Sequence, residues 1–67
     1  MTKSEMIREL ILHSNFKHGE DRGCVFRRAN SRKKENIANC YESYSKGEVS
    51  ADYALSVLTG IFPPKVL

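Results

Sequence analysis

The chain has 67 residues, 40% of them hydrophobic and 28% charged, with a formal net charge of +3. That composition fits a compact folded domain rather than a disordered segment, and the length allows one domain (1–67) whose core is barely sufficient without a staple, a metal or a second subunit. Leu10, Ile11 and Leu12 form the longest apolar run, far too short for a membrane span, and residues 1–20 lack the pattern of an export signal. A cytoplasmic protein with no membrane partner is expected.

In chain order, the first element opens with a capping-box pattern: Thr2 can accept from the amide three residues on, and Glu5 at that position can reach back. Met6, Ile7, Leu10 and Ile11 then recur at helical spacing, which predicts a helix over 3–14. Ser14, Asn15 and Gly19 break the pattern, leaving a loop pinned by Phe16. Residues 24–29 suit two states, since Val25 and Phe26 favour a strand while their continuation to Ala29 suits the opening turn of a helix. Ile37, Cys40, Tyr41 and Tyr44 lie at i, i+3, i+4 and i+7, with Asn30 and Ser31 as N-cap candidates and Gly47 as a stop, predicting a second helix over 32–46. A third follows: Ser50 caps it, Ala54, Leu55, Leu58, Ile61 and Phe62 form its stripe, and Gly60 or Pro63 and Pro64 end it. The expected fold is a small, mostly α domain of three helices, with room for a short strand at 24–28.

The charge is concentrated. Residues 1–20 carry three cations and three anions, 21–34 carry six cations against Asp21, and 35–67 carry two cations against four anions. Six like charges within residues 22–34 repel one another unless phosphates, carboxylates or solvent compensate them, so an anionic partner is expected, either a nucleic acid or an acidic protein surface. A helix starting at Ser31 would also place Arg32, Lys33 and Lys34 in its first turn, where the macrodipole makes each cation unfavourable by about 0.3–1 kcal/mol. Either that helix starts upstream or the cations serve an anionic ligand at exposed amides.

No enzyme is expected. The chain has no Gly-rich phosphate loop, its two histidines have no triad context, and Glu20 and Asp21, its closest carboxylates, are adjacent rather than opposed across a substrate. His13, His18, Cys24 and Cys40 supply four metal-ligand types, but their spacing lacks the short Cys pair of structural zinc sites. Free thiols, two solvated histidines and no cofactor are the expectation.

The functional expectation is a non-enzymatic bacterial or phage regulatory protein that binds DNA or RNA through Arg27, Arg28, Arg32, Lys33 and Lys34. One layout that would do this is a ribbon-helix-helix homodimer, with residues 24–29 as the ribbon, Arg27 or Arg28 reading guanine and the other three cations holding phosphates. Gly47, Gly60, Phe62 and Pro63 also make residues 47–63 resemble the turn, second helix and exit of prophage excision regulators, which would imply a winged helix-turn-helix; with no Lys or Arg at 51–58 this resemblance is not adopted. The alternative is a protein-protein interaction module or inhibitor whose helical hairpin docks a host or regulatory protein through Tyr53, Ile61 and Phe62. Tyr53 sits near Glu48 and Asp52, which suits a protein better than a phosphate.

Overall fold

The computed structural model describes residues 1–18 and 22–61. They form four α-helices, α1 (Lys3–Leu12), α2 (Arg22–Asn30), α3 (Lys34–Ser45) and α4 (Ala51–Thr59), with a 3₁₀ turn at Asn15–His18. The domain is mostly α, as the sequence predicts.

α1 begins where the capping box places it. The Thr2 hydroxyl accepts from the Glu5 amide at 3.2 Å and the Glu5 carboxylate accepts from the Thr2 amide at 2.9 Å. The helix then turns Met6, Ile7 and Leu10 into the core, and packs against each of the other three helices. It stops at Leu12 rather than 14, because the Ser14 hydroxyl leaves the helical ladder to donate to the Ile11 carbonyl and accept from the Phe16 amide. Phe16 is thereby pinned inside the core, as expected. The Asp52 carboxylate of α4 accepts from the Asn15 backbone amide at 2.7 Å and from its side-chain amide at 3.1 Å, fixing the 3₁₀ turn to the helix farthest along the chain.

Residues 24–28 are helical, not a strand. A strand would put Arg27 on the same face as Val25 and Ala29, which are both fully buried, whereas a helix carries Arg27 and Arg28 to the solvent side. The helix also satisfies its own backbone, for which no strand partner exists among the described residues. Phe26 packs half-buried at its edge, with the Arg8 guanidinium of α1 5.9 Å from the ring centroid. The ribbon that a ribbon-helix-helix dimer requires is therefore not formed, and a fourth helix takes its place.

α3 starts two residues later than predicted. Ser31 closes α2 instead of opening α3: its hydroxyl donates to the Arg28 carbonyl at 2.6 Å and its amide to the Arg27 carbonyl. At the far end, the Gly47 amide donates to Tyr44 and the Glu48 amide to Ser43, a Schellman closure that needs the left-handed φ of 78° at Gly47. α4 is the most apolar helix and buries Ala51, Ala54, Leu55 and Leu58 against Ile7, Leu10, Val25 and Ile37. Ser50 caps its start by accepting from the Tyr53 amide, and Gly60 ends it at φ 72°. Phe62, Pro63 and Pro64 lie outside the described residues.

Candidate nucleic-acid interface

The basic residues meet at the corner where α2 ends and α3 begins. Arg27 and Arg28 occupy the last turn of α2, where the negative end of the macrodipole favours them. Lys33 is the N-cap of α3 and Lys34 its first residue, both at the positive end, where they are unfavourable. All five predicted cations are exposed. The sole ion pair among the described residues joins Lys46 to Glu42 at 2.9 Å, so no described carboxylate lies within 4.0 Å of any of the five.

Arg32 differs from the other four. Its Nε donates to the Leu58 carbonyl at 2.7 Å, across 26 residues of sequence. That carbonyl belongs to the last turn of α4, whose C=O groups lack helical partners, and the Thr59 hydroxyl and the Gly60 amide serve its neighbours Leu55 and Ser56. Arg32 therefore caps α4, with its cation at a negative helix end, and its terminal nitrogens have no hydrogen-bond partner among the described residues. Periodicity is blind to this role because the contact is long-range.

The start of α3 is chemically open. Lys33 has the extended backbone of an N-cap, φ −65° and ψ 145°, but its side chain accepts nothing, and no side chain among the described residues closes the first-turn amides. The corner thus combines uncapped N–H groups with Lys33 and Lys34 beside them, Arg27 and Arg28 one short link away, and a single carboxylate, the exposed Glu35, in the first turn. This arrangement can hold an anion such as phosphate.

The residues singled out for protein docking fall elsewhere and are not gathered together. Tyr53 is 58% exposed on α4. Ile61 is half-buried against the core, and its amide donates to the Thr59 hydroxyl, so little of it is free. Phe62 is outside the described residues. What the sequence reading missed is a cleft between the antiparallel helices α3 and α4. One half, of about 340 Å³, is lined by Arg32, Asn36, Asn39, Cys40, Val57 and Leu58. The other, of about 220 Å³, continues along Ser43, Val49, Tyr53 and Ala54. The available signal was Val57, an apolar residue off the α4 stripe and four positions from Tyr53, 56% exposed in the fold.

Cys24 and Cys40 are free thiols, and burial pushes the Cys40 thiol above its ordinary pKa. No group of three or more His, Cys, Asp or Glu is placed to share a metal ion among the described residues. Tyr41 and Tyr44, whose spacing puts them on the Ile37 stripe, are half-buried at the rim of the core: the Tyr41 hydroxyl donates to Glu9, and Tyr44 stacks at a tilt against His13. No described helix is long and apolar enough to cross a membrane. The chain matches no protein-family model, no curated protein and no solved structure.

Proposed function

We propose that the protein is a small, non-enzymatic, cytoplasmic regulatory module that binds nucleic acid at the α2–α3 corner. The observation that carries this reading is the set of Arg27, Arg28, Lys33 and Lys34, exposed on two adjoining helix ends and unpaired with any described carboxylate. The charge pattern supports phosphate-backbone contact. Lys33 and Lys34 would hold phosphates beside open amides, while Arg27 and Arg28 are placed to reach further, to a base edge or a second phosphate. Arg32 contributes through its terminal nitrogens only, since its Nε serves Leu58.

The test is a salt series with duplex and single-stranded nucleic acids. Lys33→Ala/Lys34→Ala should keep the fold and lower the log-log salt slope by roughly 2 units, at ~0.9 per lost duplex phosphate contact. Arg27→Ala/Arg28→Ala should instead reduce preference between matched and scrambled sequences. Binding that is undetectable at low salt, or that ignores all four substitutions, would dismiss the reading.

A second reading, a protein-binding module, is favoured by one specific observation: Tyr53 and Val57 are large, exposed and line the α3–α4 cleft. Docking through that hairpin would show a shallow salt dependence and no sensitivity to the basic corner.

A further inference from the structure

The α3–α4 cleft and the basic corner share one residue. Arg32 lines the larger half of the cleft, and in sequence it stands between Arg28 at the end of α2 and Lys33 and Lys34 at the start of α3. Its Nε bond to the Leu58 carbonyl holds the guanidinium against the α4 wall, so the cationic strip of the corner runs on into the cleft. Neither half of the cleft is lined by a carboxylate. Asp52, which precedes Tyr53, bonds Asn15 through both its oxygens, so the Tyr53 end is less acidic than the sequence suggests.

Beyond Arg32, the lining has the chemistry of a nucleobase site. Asn36 and Asn39 lie three residues apart on α3, both exposed and both on the cleft wall. Each amide offers a donor group and an acceptor, the combination that matches the edge of an unpaired base. Val57 and Leu58 supply apolar surface on the facing helix. Tyr53, 58% exposed and one turn before Val57, lines the adjoining half and gives a second base a ring to stack on.

We propose that the nucleic acid received here is single-stranded, with its phosphates along Lys33, Lys34 and Arg32 and its unpaired bases entering the α3–α4 cleft against Asn36, Asn39 and Tyr53. This rests on the nucleic-acid reading of the basic corner and names the form of ligand that the corner takes. A duplex has no use for the cleft, because its bases are already stacked and their Watson–Crick edges are paired, which leaves only phosphates to bind. Continuity of corner and cleft also favours a strand over an acidic peptide. Cations that give way to amides and a ring match a polymer carrying both a phosphate and a flat, hydrogen-bonding base at every step.

Fluorescence anisotropy at low salt tests this with three DNA probes of about 12 nucleotides: a mixed-sequence single strand, its duplex, and an abasic strand with the same phosphates. The wild-type chain should bind the single strand ~10-fold or more tightly than the abasic strand, since stacking one base is worth roughly 5- to 150-fold. It should also prefer the single strand to the duplex. Tyr53→Ala should narrow the preference for bases by ~5-fold or more, and Tyr53→Phe, which keeps the ring, should preserve it. Asn36→Ala/Asn39→Ala should weaken the single strand and flatten its ranking among homopolymers. All three positions are exposed, so the circular dichroism spectra should match that of the wild type. A polyglutamate peptide of equal charge should compete no better than the abasic strand.

Equal binding of base-bearing and abasic strands, a duplex held more tightly than the single strand, or an affinity that ignores Tyr53→Ala and the asparagine pair alike would each overturn the proposal and leave the corner as a phosphate site. Polyglutamate that displaces the single strand as well as a second single strand does would overturn it in favour of an acidic protein partner. Loss of all nucleic-acid binding at low salt is a different result, since it removes the corner reading and this one with it.

Discussion

The two longest helices begin with opposite chemistry. At the start of α1, the Thr2 hydroxyl and the Glu5 carboxylate take up backbone amides, and the acidic side chain sits where the macrodipole wants it. At the start of α3, Lys33 stands in the capping position with no accepting atom, followed by a second lysine and then by Glu35, which makes no capping bond. One helix end is closed for stability, and the other is left open and positively charged. An uncapped N-terminus with two cations, only partly offset by Glu35 in the first turn, costs the domain stability at that point, and a phosphate would supply the missing acceptor and further offset the positive charge.

The contrast can be broken most forcefully by making the second helix start like the first. Lys33→Asp removes one cation and adds an acceptor for the first-turn amides, so it should stabilise the fold by about 1–2 kcal/mol in chemical denaturation. The same change should abolish nucleic-acid binding, and unchanged affinity would separate the open helix end from function. The reverse experiment is Thr2→Ala, which should cost about 1 kcal/mol.

A pH series sharpens the α1 side. The amide and hydroxyl of Thr2 hold the Glu5 carboxyl below its usual pKa, so the folded value lies under the unfolded one. The contribution of Glu5 is therefore complete at neutral pH and is lost as pH falls through the folded value. The deficit of Glu5→Ala should therefore shrink in acid, visible as converging melting curves for that chain and the wild type. The smallest expected effect concerns Arg32. Because its side chain is largely solvated, Arg32→Ala should cost only about 0.5–1 kcal/mol, and amide exchange at the last turn of α4 should speed up while the α3 start stays unchanged.

The two helix starts were also unequally legible. Thr2 and Glu5 are three residues apart, so their box is visible in the sequence, as are Ser50, Gly47 and Gly60 at the other boundaries. Ser31 looked equally plausible as a cap for α3, yet it was taken by α2, whose existence a six-residue stretch with Val25 and Phe26 could not decide. Only the burial of Val25 and Ala29 with exclusion of Arg27 selects the helix, and that is a tertiary fact. The five cations of the candidate site could be read from composition alone. The separation of Arg32 from the other four could not, because its partner carbonyl lies on α4. The cleft escaped for a related reason: its walls come from the outward faces of two helices, and attention to apolar stripes finds inward faces.

α1 touches every other helix, and its nearest neighbours in space include the helix farthest from it in sequence. The bond from Asn15 to Asp52 repeats that connection at the edge of the core. No consecutive pair of helices therefore owns a core of its own: Ile7 and Leu10 need Leu55, and Leu55 needs them. The chain must close a loop of some forty residues before its main apolar faces are covered, a modest entropic cost that grows only logarithmically with loop length. Folding should consequently be all-or-none, with no stable half-molecule, and an insertion in the loops should be tolerated far better than loss of either end helix.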